Sequence, residues 1–351
     1  MSGGITQLVA VGAQDAHLVG NPEVSFFQSS YKRHSNFSSV IERQVIQNTP
    51  ARNGLSSIRF ERKGDLLSYV YLSNVSSAGA STNTNWENIV DKVELYIGGQ
   101  LIDTQHFEYS TKIHTDIMAN SFSKSIYGSG PDGTDNTGYF FPFKFWFCEN
   151  WQSALPLIAL QYHDVEMRIY WADNADVTAG TMVAWTRYVY LDTDERRMMA
   201  EKPMDLLIHQ VQRIPGSGAK TMDLTFNHPV KFIASTDTNF NNSNDVLLQL
   251  NGVDVGDKKP ATPHYNQVSA YHHTQFGANS TVADEGFQSV KLMIPFCLDA
   301  SKLQPTGTCN FSRMDSATLR LYGANISNPV YAVNYNILRV QNGMGGLLYA
   351  N

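Results

Sequence analysis

The side chains that could perform chemistry are thinly spread along this sequence. His264 and His272 lie eight residues apart in a loop-rich stretch with Asp257 and Asp284 nearby, and these residue types bind metals in proteins. His272 and His273 are adjacent, so on a strand they would point to opposite faces and would not share one metal. We interpret this stretch as a solvated loop and predict no metal site, with a metal-binding loop as the alternative.

Paired carboxylates occur as Asp192 with Asp194 and as Asp284 with Glu285. Glycosidase chemistry needs two carboxyl groups held on either side of a sugar, and sequence neighbours do not provide that geometry. Asp192 is better explained as the N-cap of a short helix. The sequence also contains no GxxxxGK[ST], GxGxxG, HExxH or GxSxG motif. We therefore predict that the chain is not an enzyme, has no catalytic residues and needs no cofactor.

Composition narrows the class of partner. The 351 residues carry a net charge of −6, and only 17% are charged, below the usual quarter. A protein that coats nucleic acid carries clusters of Lys and Arg. The basic runs in this chain, residues 32–34 and 196–197, are short, so we expect no direct contact with nucleic acid. Three cysteines without CxxC spacing predict reduced thiols and an intracellular protein. We expect neither a signal peptide nor a membrane-spanning segment.

Strand patterns dominate the elements that would position these side chains. Apolar and polar residues alternate over 165–171 and again over 331–337, which is typical of strands with one buried face. Gly98-Gly99 and Asn251-Gly252 each separate two such runs and predict two-residue hairpins. Many short strands joined by turns indicate a sandwich or barrel. The clearest exceptions are residues 107–118, where a short helix fits, and the segment after Asp192.

The segment after Asp192 marks the boundary between two β-rich halves. Asp192 with Glu195 three residues on resembles a capping box, and Pro203 prevents the helix from continuing. We predict an N-terminal arm, a first β-domain, a linker with a short helix and a second β-domain. These cover residues 1–21, 22–191, 192–214 and 215–351.

Sequons for glycan attachment occur at six positions, and without a signal peptide secretory glycosylation is not expected. Asn241 and Asn279 lie in loop-like regions and are the two sites where attachment merits a test. Aromatic residues in the same region, Tyr265, Tyr271 and Phe276, could instead stack on sugars. They keep a cellular carbohydrate-binding module as the alternative function.

Ordered motifs along the whole chain carry a specific resemblance. Residues 12–27 read GAQDAHLVGNPEVSFF, and residues 31–37 read YKRHSNF. Further matches follow in order at 97–103 (IGGQLID), 154–163 (ALPLIALQYH), 190–197 (YLDTDERR), 227–230 (NHPV), 311–315 (FSRMD), 335–340 (YNILRV) and 343–347 (GMGGL). In this set the chain resembles the major capsid proteins of large nucleocytoplasmic DNA viruses, of phycodnavirus or iridovirus type.

The resemblance implies an all-β double jelly roll: two tandem eight-stranded antiparallel jelly rolls with a few short helices. Three copies would form a homotrimer of pseudo-hexagonal outline that tiles the icosahedral shell of a virion, assembled in the host cytoplasm. The implied partners are the chain itself, neighbouring capsomers, and minor capsid and penton proteins. The internal membrane would be reached only indirectly, and nucleic acid would not be touched directly.

Two segments are predicted to fix the β-domains relative to each other and so to support assembly. They are residues 192–212 and the C-terminal residues 343–351. The individual residues assigned to this structural role are Asp192, Glu195, Arg196, Arg197, Gly343, Gly345 and Gly346. A third reading, an enzyme on a two-jelly-roll scaffold, would need a convergent cluster of acids that the sequence does not display.

Overall fold

The N-terminal 36 residues form a unit of their own in the computed structural model, which describes residues 3–126, 137–276 and 287–349. This unit contains two short helices, α1 (Gly3–Val9) and α2 (Ala16–Val19). Large apolar side chains, including Phe26 and Phe27, are almost fully exposed in it. The first strand begins only at Phe37, so residues 22–36, which we had assigned to the first β-domain, contain no strand.

The first half of the remaining chain consists of antiparallel strands that end at Leu191. They are β1 (Phe37–Gln44), β2 (Ile46–Gln47), β3 (Leu55–Arg59), β4 (Leu66–Val75), β5 (Thr84–Asn85), β6 (Val90–Ile97), β7 (Gln100–His106), β8 (Thr137–Gly138), β9 (Phe140–Pro142), β10 (Leu155–Pro156), β11 (Val165–Trp171) and β12 (Thr181–Leu191). One sheet has the order β1-β12-β4-β10, and the facing sheet has the order β2-β3-β11-β6-β7. β9 extends the first sheet at β4, and β5 pairs with β8.

Helical segments interrupt this half mainly between β7 and β10. A π-helix, Tyr109–Met118, follows β7, and we call it the junction helix. The shorter α3 (Phe122–Ile126) and α4 (Trp146–Glu149) come after it. Single 3₁₀ turns lie at Trp86–Asn88, Trp151–Ser153 and Ala175–Thr178. The helix expected over residues 107–118 is therefore present.

The second half begins with helix α5 (Thr193–Glu201) and repeats the strand pattern. Its further elements are β13 (Met204–Ile214), β14 (Thr221–Asp223), β15 (Pro229–Ser235), β16 (Asp245–Leu250), β17 (Val253–Asp254), β18 (Lys259–Pro260), α6 (Ala261–His264), α7 (Gln267–His273), β19 (Leu292–Pro295), β20 (Cys309–Asn310), a 3₁₀ turn (Phe311–Arg313), β21 (Ala317–Leu321), β22 (Val330–Gln341) and β23 (Met344–Leu347). The two sheets follow the orders β13-β22-β15-β19 and β14-β21-β16-β17.

The strand order identifies both halves as jelly rolls. In each half the main strands form one sheet from the first, eighth, third and sixth strands and a facing sheet from the second, seventh, fourth and fifth. We call β1–β12 the first jelly roll and β13–β23 the second. The all-β double jelly roll with few short helices is thus confirmed.

The two predicted hairpins occupy equivalent positions in the two jelly rolls. Ile97 pairs with Gln100 around Gly98-Gly99, and Leu250 pairs with Val253 around Asn251-Gly252. All four turn residues have positive φ, from 50° to 83°, the backbone form that matches the twist of paired strands. Gly and Asn are the residue types that tolerate it, which is why the sequence revealed these turns.

Alternation along the strands builds the two internal cores. In β11 the apolar positions Val165, Met167, Ile169 and Trp171 are buried, and the positions between them are half-buried. Each jelly roll has such a core between its two sheets. A further apolar cluster lies between the jelly rolls. Strands β13 and β22 of the second jelly roll also contribute Ile208, Leu338 and Val340 to the first core.

The predicted linker, 192–214, differs from the structure in its second part. The helix is present, but residues 204–214 form strand β13, which pairs with β22 from Met204↔Val340 to Ile214↔Val330. The sequence did not reveal this strand because apolar and polar residues do not alternate regularly over 204–214, and most of them are half-buried. In the described part of the chain, no helix is long and apolar enough to cross a membrane.

Candidate functional site: the junction between the two jelly rolls

The edge of the first jelly roll lies directly against the edge of the second. Val211 of β13 donates its backbone N–H to Asp103 Oδ1 of β7 at 2.9 Å, and the Gln210 amide donates to the Ile102 carbonyl at 2.5 Å. Gln105 donates to the other oxygen of Asp103 at 2.9 Å. Burial raises the pKa of Asp103 to about 7, and the Val211 and Gln105 donors oppose this rise.

The junction helix covers the outer face of the sheet that contains β13, β22, β15 and β19, where outer means turned away from that jelly roll's own core. Tyr109, Ile113 and Ile117 of the helix pack in one cluster with Phe232 and Tyr331 of the sheet. All five are at most 2% exposed, so this contact is dry. Burial of this extent stabilises the contact between the helix and the sheet.

Two carboxylates pin the junction helix to the second jelly roll. Glu108 accepts a hydrogen bond from the Tyr331 hydroxyl at 2.8 Å and another from the Thr236 hydroxyl. Asp116 Oδ2 accepts the backbone N–H groups of Ser289 and Val290 at 2.7 and 3.0 Å. Burial raises the pKa of Asp116 to about 6, against the effect of these two donors.

A buried charged cluster lies behind the helix. His114 is 1% exposed, its Nε2 lies 3.3 Å from Glu149 Oε1, and neither of its ring nitrogens makes a hydrogen bond within the described chain. Burial lowers the pKa of His114 to about 3, although Glu149 acts in the opposite direction. Glu149 is also 3.6 Å from the Lys124 ammonium. Burial lowers the pKa of Lys144 beside it.

Helix α5 ties the connection back to the first jelly roll. Asp192 is its N-cap, as predicted, and Asp192 Oδ1 accepts the Thr193 N–H at 2.8 Å. Arg196 Nε lies 3.1 Å from Asp65 Oδ1, and Asp65 also accepts the Leu191 N–H at 2.9 Å. Glu195 is half-buried and Arg197 is exposed on the same helix.

The predicted C-terminal glycines lie where the chain returns to the first jelly roll. Gly343 accepts the Tyr162 N–H at 2.8 Å, and the Gly345 carbonyl is 2.8 Å from His163 Nδ1. A Cβ at Gly343 would lie 2.6 Å from the Tyr162 ring, and one at Gly345 would lie 2.6 Å from Leu160. Gly346 is less confined, since its nearest atom is the flexible Gln100 side chain at 3.2 Å. Whether these contacts also support assembly stays a prediction.

The other residues singled out from the sequence do not come together. His264 and His272 are exposed, and His273 Nδ1 is 2.9 Å from the Cys297 carbonyl. Asp284, Glu285 and Asn279 lie outside the described residues. Among the described residues, no group of three or more His, Cys, Asp or Glu side chains could hold a metal.

The aromatic residues that we considered for sugar stacking differ in their exposure. Tyr265 is half-buried against the second core, whereas Tyr271 is exposed. Asn241, a predicted glycan site, has its amide engaged with the Thr238 carbonyl at 3.3 Å and the Ser243 N–H at 2.9 Å. Glycan attachment at Asn241 stays a prediction.

None of the junction residues Asp103, Glu108, His114 and Asp116 was predicted from the sequence. The available signal was the placement of charged residues between apolar ones in the helix expected over 107–118. The partners of Asp103, Glu108 and Asp116 in the second jelly roll are 108 to 223 residues away along the chain, so no local pattern pairs them. Two jelly rolls joined side by side through buried contacts within one chain define a double jelly-roll protein.

Comparison with known proteins identifies the family. Residues 25–207 match the family model "Major capsid protein N-terminus", and residues 234–346 match "Large eukaryotic DNA virus major capsid protein". The chain is 36% identical to the major capsid protein of Pyramimonas orientalis virus and 31% identical to that of Paramecium bursaria Chlorella virus 1, with all of both chains covered in each comparison. The chain belongs to the family of large eukaryotic DNA virus major capsid proteins.

Solved structures agree with this assignment. The chain superposes on the Paramecium bursaria Chlorella virus 1 capsid with a TM-score of 0.75 and 26% identity, covering 93% of this chain and all of the other. The Faustovirus major capsid protein matches with a TM-score of 0.62 at 11% identity, which supports the fold alone. The predicted function, a structural major capsid protein of the virion, is confirmed, and the carbohydrate-binding alternative is not favoured.

Proposed function

We propose that three copies of this chain form a homotrimeric capsomer of pseudo-hexagonal outline that tiles an icosahedral shell. The observation that carries the proposal is the contact between the jelly rolls. It joins two different surfaces, an edge and helix of one jelly roll and an outer sheet face of the next. A heterologous contact that repeats around an axis closes into a ring when the rotation between neighbours is a whole fraction of 360°. Three chains with two jelly rolls each would place six jelly rolls in that ring.

The finer assignments belong to the same proposal. Residues before Phe37 act as the arm, β1 to Leu191 as the first domain, α5 as the connection and the rest as the second domain. Asp192, Arg196 and the C-terminal glycines hold the two domains in register for assembly. The chain catalyses no reaction and assembles in the host cytoplasm, which agrees with three cysteines that carry no disulfide.

Its partners, in this proposal, are further copies, neighbouring capsomers, and minor capsid and penton proteins. The membrane is contacted only through such proteins. Nucleic acid is not contacted directly, which agrees with the net charge of −6.

The mass of the purified chain in solution tests the capsomer. Light scattering on a sizing column is expected to give about three times 39.1 kDa, unchanged on dilution. A species of 39.1 kDa at every concentration would contradict the trimer.

A further inference from the structure

The outer face of one sheet is covered inside the chain, and the equivalent face is not. In the second jelly roll, Phe232, Tyr331 and Val333 on the outer face are at most 1% exposed beneath the junction helix. The equivalent sheet of the first jelly roll, β1-β12-β4-β10, turns Ile41, Tyr69 and other apolar residues outwards. The outer sheet face is therefore buried in the second jelly roll and accessible in the first.

That open face forms an apolar groove of about 520 Å³. Its lining is mainly apolar and includes Ile41, Tyr69, Tyr71, Phe140 and Pro142. Lys124, Lys144, Cys148 and Glu149 also line it. Ile41 is 46% exposed. Edge strands with apolar side chains are surfaces that proteins normally cover, and in the described chain β1 has β12 as its only partner.

The element equivalent to the junction helix also carries an uncovered apolar face. The junction helix comes directly after β7, the second strand of the Gly98-Gly99 hairpin. Helix α7 comes after β17, the second strand of the Asn251-Gly252 hairpin, with β18 and α6 between them. In α7 the inward residues Ser269 and Ala270 are buried.

Val268, Tyr271 and His272 share the opposite side of α7, because positions three and four apart lie on one helix face. All three are exposed, Tyr271 by 80%. The centroids of the Tyr271 and His272 rings are 4.9 Å apart in an edge-to-face arrangement, so the two aromatic rings form one exposed patch.

The edge strands of the sheets also differ in whether they are covered within the chain. Inside the chain the edge of β7 meets the edge of β13 through Asp103 and Val211. The equivalent edges are β17, where Val253 and the adjacent Val255 are exposed, and β1, where Phe37 and Val40 are exposed. Each open edge therefore carries apolar residues that the corresponding edge of another copy can cover.

We propose that α7 of one copy inserts its Val268, Tyr271 and His272 face into the Ile41–Tyr69–Tyr71–Phe140 groove of the next copy, with β17 beside β1. The occupant of the groove is thus a second copy of this chain. The contact rests on the proposed ring and assigns its intermolecular surface, since the covered junction within the chain supplies the template for the contact between chains.

A charge placed on the projecting face tests the contact. Tyr271→Glu is expected to weaken trimer formation by about 30-fold or more, because exposed aromatics that fill a partner's pocket dominate interface energies. The matched control is Trp151→Glu, an aromatic residue with 82% exposure in the 3₁₀ turn Trp151–Ser153, which is expected to trimerise like wild type. Circular dichroism and thermal melting confirm that both variants fold.

Cross-linking between two single variants supplies a second readout that does not depend on weakened assembly. Tyr71→Cys and Tyr271→Cys are each made in a Cys148→Ser, Cys309→Ser background, because Cys148 lines the groove and Cys309 is only half-buried. The two chains are co-expressed, and a short bismaleimide is expected to join them into dimers that neither variant forms alone. Normal trimers of Tyr271→Glu together with no mixed cross-link would overturn this contact while leaving the capsomer intact. A wild-type chain that stays monomeric would overturn the capsomer itself, and the contact with it.

Discussion

The two jelly rolls share strand order and hairpins but differ in what lies on their outer faces. The second has its outer face sealed by the junction helix, with Phe232 and Tyr331 almost completely buried. The first presents an open groove around Tyr71. One fold thus supplies the same kind of surface twice, once as core and once as an accessible face. The difference shows that strand order alone does not determine what covers the outer face of a sheet, because the helix on the second jelly roll comes from the first.

The largest difference between the two faces is expected in the unfolding free energy when one aromatic side chain on each face is truncated. Phe232→Ala should cost about 3–5 kcal/mol of unfolding free energy, because it leaves a cavity in a dry cluster. Tyr71→Ala on the open face should cost only about 1 kcal/mol in the isolated chain. Urea denaturation at several protein concentrations separates stability from assembly. Equal losses for both variants would remove the distinction between the faces.

The buried His114 should make the sealed junction sensitive to acid. Its folded-state pKa of about 3 lies below the value of 6.5 in the unfolded chain, so the unfolded state takes up the proton first as the pH falls. Stability should therefore decrease from pH 6.5 towards pH 3, by a few kcal/mol in total, since each pKa unit corresponds to about 1.4 kcal/mol.

His114→Leu should flatten this acid dependence relative to wild type, as measured by melting temperature across the pH range. His264→Leu, at an exposed position outside the proposed contact, is the control and should leave the dependence unchanged. Asp103 and Asp116 act in the opposite direction, because their raised pKa values favour the fold at low pH and lose that effect as the pH passes about 6 to 7. An unaltered acid limb in His114→Leu would show that His114 does not govern it.

The C-terminal glycines test how tightly β23 packs on the first jelly roll. Gly343→Ala is expected to cost about 1–3 kcal/mol, because φ is +77° and the new Cβ would meet the Tyr162 ring at 2.6 Å. Gly346→Ala, which meets only the flexible Gln100 side chain, should cost less than about 1 kcal/mol. Thermal denaturation of the two variants measures the difference. A reversed order would contradict the packing of β23 on the first jelly roll.

The smallest effect is expected at helix α5, which lies on the surface of the connection. Asp192→Ala should cost about 0.5–1 kcal/mol through loss of the N-cap. Arg197→Ala at an exposed position is the control and should be neutral within about 0.5 kcal/mol. Differential scanning calorimetry resolves shifts of this size. A large loss at Arg197 would reveal a contact that its exposure does not indicate.

Sequence reasoning succeeded where the determining interactions are local. The turns at Gly98-Gly99 and Asn251-Gly252, the Asp192 cap and the alternation in β11 all follow from neighbouring residues. Ordered motifs supplied the family and hence the double jelly roll. The end of the linker was missed because β13 lacks a regular alternation of apolar and polar residues, and most of its residues are half-buried.

The junction could not be read from the sequence, because its partners are distant along the chain. Asp116 bonds to Ser289 and Val290, and Glu108 bonds to Tyr331, so each pair becomes visible only in the fold. The groove is equally hidden, since Tyr69 and Tyr71 alternate with core residues in β4 as in any strand. Only the comparison with the sealed face shows that this one is open.

An electron cryo-microscopy map of the purified oligomer tests the central claim most directly. The account predicts six jelly rolls in one ring, in which the β7–β13 junction within each chain alternates with a β17–β1 contact between chains. The groove around Tyr71 is then filled by α7 of the adjacent copy. A two-fold symmetric oligomer, or a ring in which that groove faces solvent, would contradict it.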